Sequence, residues 1–459
     1  MPCRIKSRPL DRKECAAHFS KSLSYMPSSL PIASPAPKRQ PSQTAISKVV
    51  FDISREPFRK PIGFKGAEFR EKWVTRVTLT GASGASATAW GGLAPLWADE
   101  RVFLGHTEAG ANVLMASIAE FALQRARQEA FATPLMLHDR IVEEVHEYAR
   151  YVTGLSDLRR TFTLNAMIAV DHAAWLLYAR ERAIENFDAM VGEDFAGLLR
   201  ERHRSLGCIP LISYTTTAEE VSQLVRMGHF FLKVKIGAPG DDRHMLDADK
   251  RRLHELFRLV GDCETPHTID GRIRFYVDAN GRYSRRSQVE ELLDFCSEHG
   301  RLQQIALFEE PFDEHVEEDV RGLPVVFAAD ESLHSVEDVA ARREAGYRAI
   351  ALKPAGKGLT MTLRLAREAE RVGAACFVAD SACTPILLDW NKNVAARLPA
   401  LEGIKCGLLE VNGPQQYNHW DSLLAAHPEA KQPWIRPANG AFHFDASFYE
   451  GGGLFHSHV

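Results

Sequence analysis

The chain has 459 residues, too many for one ordinary domain and suited to a large barrel with a smaller companion. Its 56 basic and 60 acidic side chains leave a net charge of −4, which offers no basic field to nucleic acid or to an anionic membrane surface. No apolar run is long enough to span a bilayer, and the apolar and charged shares are those of a soluble globular protein.

Residues 1–45 are rich in Ser, Pro, Lys and Arg, hold Asp11 and Glu14 as their only acids, and show no sustained periodicity. A disordered tail, or a start codon assigned too far upstream, is the expectation. A transit peptide would share the basic composition, but the prolines between 31 and 41 would break its amphipathic helix. From 46 to 205 the pattern is strands first, then helices. Strands are expected at 49–53, 73–80 and 85–90, with Gly81 to Gly84 turning the chain between the last two. Helices follow at 112–129, 139–153 and 164–185. In the third, Met167, Val170, Ala174 and Leu177 recur at helical spacing and predict one apolar stripe. This segment is an α+β domain.

From 206 to 415 short apolar runs alternate with amphipathic helices, the beat of a parallel α/β barrel. Strands are expected at 209–214, 230–236, 273–277, 305–308, 325–329, 349–352, 375–378 and 407–411. Helices at 288–299 and 361–372 are the clearest. Eight strands match a barrel, although the pattern fixes only an open or closed α/β sheet. Residues 416–459 hold no further βα unit and are expected to pack back on the first domain. The eight cysteines are scattered without paired spacing, with Cys208, Cys376 and Cys406 inside apolar runs. They read as buried reduced thiols of a cytoplasmic protein.

In a parallel barrel chemistry sits where strands end, and polar residues gather just past each apolar run. The second strand carries Lys233 and Lys235 in Lys-Val-Lys, which the two-residue period aims to one side. The third ends in Asp278-Ala279-Asn280, the fourth in Glu309-Glu310-Pro311, the fifth in Asp330-Glu331-Ser332 and the sixth in Lys353-Pro354. One strand-end acid would read as a helix cap. Asp278, Glu309 and Asp330 on three adjacent strands repel one another unless a cation compensates them, and a few hard oxygen ligands suit Mg²⁺. Lys353 then faces the Lys-x-Lys pair across the barrel mouth. A lysine becomes a useful base once its pKa falls from about 10.4 to about 7–8, the direction in which a neighbouring ammonium and a divalent cation push it.

These residues, in this order, resemble the enolase superfamily, and within it the muconate-lactonizing-enzyme-like group of the mandelate racemase/muconate lactonizing enzymes, dipeptide epimerases among them. The resemblance implies a modified (β/α)-barrel with an α+β N-terminal capping domain. It implies Mg²⁺ held by Asp278, Glu309 and Asp330, and an acid/base pair of Lys235 and Lys353. Lys233 would contact the substrate carboxylate, and Asn280 and Glu331 would orient the ligands and Lys353. The histidine that mandelate-racemase-like members carry at the seventh strand is absent from Ala375 to Asp380. Dipeptide epimerases close the eighth strand with Asp-x-Asp, whereas Glu410 and Asn412 stand here, which puts a dipeptide in doubt. Glu410, Asp380 and a cap loop at 59–69 with Phe64 and Lys65 are the candidate substrate contacts.

The implied reaction is removal of the α-proton of a small carboxylate through a metal-stabilised enediolate, giving a racemase or epimerase for an amino-acid derivative or dipeptide. A cycloisomerase or syn-dehydratase could use the same groups, and a catalytically silent relative is the alternative of another class. Expected partners are the substrate and further copies of the chain in a homo-oligomer, with no nucleic acid and no membrane. Other signals carry less. The stretch from Ala355 to Thr360 lacks the spacing of a phosphate loop, Cys263 with His267 is too sparse for zinc, and Trp90-Gly91-Gly92 shows no evident chemistry. His456 and His458 read as a solvated tail.

Overall fold

The computed structural model describes residues 43–455. The expectations for the first 42 residues and for His456 and His458 lie outside that range. Fourteen strands form two sheets among the described residues. The first sheet contains β1 (Thr44–Phe64), β2 (Ala67–Gly81), β3 (Ser86–Leu93) and β4 (Ala130–Phe131), in the order β3-β2-β1-β4.

The region expected as a loop over the site is the tip of a β-hairpin. β1 runs to Phe64, Lys65 and Gly66 turn the chain at positive φ of 45° and 79°, and β2 starts at Ala67. Two residues at positive φ match the twist of a two-stranded ribbon. Charged residues hid it, because they interrupt the apolar alternation while holding the ribbon together. Arg55 pairs with Glu71 at 2.6 Å and Arg76 with Asp52 at 2.6 Å.

Helices Glu108–Gln128, Pro134–Thr153 and Arg160–Glu181 cover this sheet. Thr107 caps the first by accepting from Gly110 N at 3.0 Å, and Gly154, at φ 71°, ends the second. The single stripe expected on the third is corrected: it is buried almost all round. β3 lies on one side, where a Cβ on Gly91 would come within 2.7 Å of Ala169 N. The barrel helix Pro354–Val372 lies on the other, tied by Trp175 Nε1 donating to Thr360 Oγ1 at 3.0 Å and Thr360 N donating to Asp171 at 3.1 Å. A stripe cannot reveal a helix with two packed faces.

The second sheet is built from β5 (Ser205–Ile209), β6 (Leu211–Ile212), β7 (Phe231–Lys235), β8 (Arg274–Asp278), β9 (Ile305–Glu309), β10 (Phe327–Ala329), β11 (Ala349–Leu352), β12 (Ala375–Val378), β13 (Gly407–Glu410) and β14 (Ala441–His443). From β6 through β13 to β5, neighbouring strands pair in parallel. β5 and β6 are one extended run interrupted only at Pro210, which has no N–H for a ladder. β5 pairs with β13 and β6 with β7, so the eight-stranded ring closes through this proline, and Lys233 N donates to Pro210 O at 3.1 Å. The first barrel strand therefore begins earlier than the expected 209.

The C-terminal stretch divides. Tyr417 and His419 pack on β1, at 5.0 Å between the Tyr417 and Phe58 rings and 2.8 Å from His419 to Glu56. β14 instead pairs antiparallel with β5, taking the edge that the break at Pro210 leaves open. The expectation that the whole stretch rests on the first domain is corrected to that extent. No helix among the described residues is long and apolar enough to cross a membrane.

Candidate active site

The ends of β7, β8 and β10 to β13 line a cleft beneath the hairpin tip, with about 850 Å³ of space counted together with its solvent-open mouth. On β7 the two-residue period brings Lys233 and Lys235 to the same side. Lys233 is buried, with its ammonium 2.9 Å from Asp278, 2.8 Å from Glu309 and 3.2 Å from Glu410. Its charge also lies 4.7 Å from the centroid of the Tyr276 ring. Lys235 is more open; it donates to Asp278 Oδ2 at 2.6 Å and Asn280 Oδ1 at 2.5 Å, with the Phe64 ring of the hairpin 5.7 Å away. Lys353, just past β11, stands 2.6 Å from Asp330 and 4.5 Å from the Trp97 ring. β7 and β11 are separated by three strands on either side of the ring, so Lys235 and Lys353 approach the cleft from opposite sides.

The strand-end acids do different work. Glu309 faces inward, where its Oε2 accepts from the Tyr276 hydroxyl. Glu310, at φ 37°, turns the other way: its Oε1 accepts from Asp330 N at 2.7 Å, Ser332 N at 3.0 Å and Ser332 Oγ at 2.6 Å. Those bonds hold a backbone conformation that costs of order 1–3 kcal/mol for a residue with a side chain. They thereby fix the start of the loop that carries Asp330 and Glu331. Lys357 braces the same loop through the carbonyls of Asp330 and Leu333, at 3.1 and 2.7 Å. That is the task of the lysine in the discounted phosphate-loop stretch.

Carboxylate oxygens of Glu309, Asp330 and Glu331 lie within 4.8 Å of one another. Glu309 Oε1, Asp330 Oδ1 and Glu331 Oε2 are buried and accept no hydrogen bond. Asp330 Oδ2 lies beside the Lys353 ammonium but off the direction of a hydrogen bond. Buried acceptors of this kind cost 1–3 kcal/mol each or more unless something satisfies them. Hard oxygens gathered this closely fit a divalent cation such as Mg²⁺. Asp278, expected in the ligand set, is held by both β7 lysines, and Glu331, expected behind the ligands, sits within the oxygen cluster. Asn280 bridges Lys235 and Glu331, donating to the latter at 2.9 Å.

Electrostatics follow the same division. Burial raises the Asp278 carboxyl, but Lys233 and Lys235 outweigh it and hold the group well below the usual range. Burial pushes Glu331 up to about 7, with Asp330 and Asp278 adding to the rise. Burial and Asp278 likewise raise Glu309 well above its ordinary value. For Lys353 burial acts downward, but Asp330 and Glu331 prevail and lift it above an ordinary lysine. The lowered lysine pKa expected from the sequence is therefore not a property of Lys353 in this arrangement.

Glu410 spends its carboxylate on Lys233, on Asp380 N at 3.2 Å and on Asn412 Nδ2 at 2.8 Å. Asp380 accepts from Cys383 N at 3.1 Å and Asn412 N at 2.9 Å, so it joins the loops after β12 and β13. Both still line the cleft, as does Phe64. Lys65 turns toward Glu100, at 3.4 Å, in a smaller neighbouring cleft. Trp97, Tyr276 and Lys72 were missed by the sequence reading. Trp97 and Lys72 arrive from the first domain, and Tyr276 lies within an apolar run that reads as core.

Residues 216–430 match the family model described as Enolase C-terminal domain-like. None of the curated proteins matches the sequence. Among solved structures, a dipeptide epimerase from Enterococcus faecalis V583, complexed with Mg and L-Leu-L-Tyr, is 17% identical with a TM-score of 0.58, covering 82% of this chain and 92% of its own. A mandelate racemase/muconate lactonizing protein from Herpetosiphon aurantiacus is 15% identical with a TM-score of 0.61, covering 90% and 99%. The L-Ala-D/L-Glu epimerase from Bacillus subtilis is 16% identical with a TM-score of 0.59, covering 82% and 91%. The barrel segment thus matches the Enolase C-terminal domain-like family, and the fold of the chain is that of the mandelate racemase/muconate lactonizing proteins to which it is similar.

Proposed function

We propose that the protein is an Mg²⁺-dependent racemase or epimerase acting at the carbon beside a carboxylate, with an amino-acid derivative or small peptide as substrate. The observation that carries the reading is the placement of Lys235 and Lys353 on opposite sides of one cleft, with a cluster of carboxylates at its floor. Two bases on opposite faces of one carbon are what inversion requires: one takes the proton and the other returns one. The similarity to racemases and epimerases supports the same reading.

Asp278, Glu309 and Asp330 would hold Mg²⁺, with Glu331 adjoining, and a bound divalent cation supplies Lewis-acid polarisation of a carboxylate. The chain's own groups do the rest. Lys235 Nζ, the more open of the β7 pair, receives or delivers a proton on one face, and Lys353 Nζ does so on the other. Asn280 holds Lys235 at 2.5 Å and the Trp97 ring packs against Lys353, so both amines are positioned before substrate arrives. With the charge of Asp330, Glu331 and Glu309 engaged by a ligand, burial and the Lys233 charge remain, and both push Lys353 downward. Lys233, buried among carboxylates, stays charged and offers a fixed positive potential where charge develops on the substrate carboxylate. The hairpin tip with Phe64 and the Trp97 ring restrict water at the amines.

The test is incubation of the full chain with Mg²⁺ in D₂O and a panel of carboxylates, N-acyl amino acids and dipeptides, followed by NMR. Deuterium should enter at the α-carbon as both epimers form. A product with a new ring or a lost water would instead point to a cycloisomerase or dehydratase and sink the proposal.

A further inference from the structure

The capping sheet sends one more charged side chain into the cleft, and the proton chemistry does not use it. Lys72, on β2, lines the cleft and is 2% exposed. Its path is built. A Cβ on Gly92 of β3 would stand 2.5 Å from Lys72 Cε, 3.3 Å from its Nζ and 3.0 Å from Leu387 Cδ1 of the barrel helix Pro385–Ala395. A side chain at 92 would displace the end of the lysine from this position between β3 and that helix, which gives the Trp90-Gly91-Gly92 stretch a purpose.

The ammonium at the end of this path is under-satisfied. It donates to Ser381 O at 2.6 Å, in the loop after β12. Among the described residues no carboxylate oxygen lies within 4.0 Å of it, whereas Lys233, Lys235 and Lys353 each have at least one. Asp380, the carboxylate whose charge acts on it, spends its oxygens on the amides of Cys383 and Asn412. Other acids on the wall are also engaged: Glu71 with Arg55, Glu108 with the amides of residues 70 and 71, and Glu410 with Lys233 and Asn412. Burial pushes the Lys72 pKa down to about 8, against the pull of Cys383 and Asp380. A buried ammonium with one acceptor for three donors is costly, and a single anionic oxygen pair from a ligand would answer both the donors and the charge.

We propose that Lys72 receives a second anionic group of the substrate, remote from the carboxylate at the reacting carbon, so that the cleft selects dicarboxylates. This rests on the cleft being the substrate site proposed above. The cleft wall also carries Phe64, Phe69, Leu93, Leu96 and Phe103, apolar surface that suits the hydrocarbon arm that would join the two carboxylates.

The experiment uses the full chain with Mg²⁺ and two probes of the same shape and different charge, N-acetyl-L-glutamate and N-acetyl-L-glutamine. Calorimetry reads affinity, and D₂O exchange is followed in the same samples. Glutamate is expected to bind at least tenfold more tightly, and Lys72→Met should erase that ratio while leaving glutamine binding within twofold. Gly92→Ala, which keeps the charge but displaces it, should also lower the ratio, and serves if Lys72→Met does not fold. Equal binding of the probes by the unmodified chain, binding of neither, or a ratio that survives Lys72→Met overturns the assignment. A loss of affinity equal for both probes would make Lys72 a strut between cap and barrel and would overturn it too. A charge preference with no α-deuterium would leave the Lys72 subsite standing and remove the proton-transfer reading.

Discussion

Replacing Lys353 with methionine keeps a stem of similar length against Trp97 and deletes the ammonium 2.6 Å from Asp330. Two readouts follow. Asp330 is buried and its oxygens accept no hydrogen bond, so the variant leaves a buried carboxylate without its paired ammonium, with only the more weakly acting charges of Lys357 and Lys233. Breaking a buried pair by removing one partner costs roughly 3–5 kcal/mol, and the retained packing places this change near about 3. The sign agrees with the raised Lys353 pKa: the pair's contribution is complete below the ordinary lysine value and lost only as pH rises past the folded one, so it is fully present at neutral pH. Urea unfolding without added Mg²⁺ should show that loss. For the reaction, loss of a general acid or base costs about 10²- to 10⁴-fold. Each lysine serves one face of the reacting carbon. Interconversion should therefore fall by that factor, while the epimer presenting its proton to Lys235 still exchanges it with D₂O. Interconversion within tenfold of the parent would refute the acid/base assignment, and unchanged urea stability would refute the ion-pair argument.

Three further expectations concern the metal, the contact between cap and barrel, and the backbone. Mg²⁺ at a hundred times its dissociation constant should stabilise the chain by about 2.7 kcal/mol, so an unfolding midpoint indifferent to both Mg²⁺ and EDTA would count against the oxygen cluster as a cation site. Glu314 accepts from Arg159 Nε at 2.6 Å and contacts His334; burial opposes, but these partners bring its pKa to about 2. A depressed carboxyl contributes stability above its unfolded value of 4.5 that is lost as pH falls toward 2, here about 3 kcal/mol by the shift and about 2 after allowing for partial exposure. Glu314→Gln should flatten the stability profile between pH 5 and pH 3 in denaturation curves, and an unaltered profile would exclude this pair as its source. Gly358 has φ 82° and ψ 161° inside the Pro354–Val372 helix, and a Cβ there would lie 2.9 Å from Asp171 Oδ2. Gly358→Ala should cost about 2–3 kcal/mol, since that region of backbone space belongs almost wholly to glycine. A thermal midpoint unmoved by the change would contradict the strain.

Much of the candidate site was legible along the chain because a parallel barrel turns linear order into geometry. A two-residue period aims Lys233 and Lys235 together, and successive strand ends deliver Asp278, Glu309, Asp330 and Lys353 to one rim. The sequence by itself thus determined an α/β sheet of successive parallel strands and the charged positions at their ends, while closure into a ring awaited the pairings at Pro210. Where the chain leaves a strand, periodicity stops, and only the tertiary structure decided the rest. It turned Glu310 outward at a positive φ to hold the next loop, and brought Glu331 into the oxygen cluster while the two β7 lysines claimed Asp278. It closed the ring at Pro210, and gave β14 the edge left there. Above all it placed Trp97 and Lys72 of the first domain beside Lys353 and Ser381 of the barrel. Those contacts join residues hundreds of positions apart through packing alone, and no spacing in one dimension encodes them. The strand-end charges could be read from the letters, but the side chains of the first domain that share their cleft meet them only after the two domains have packed.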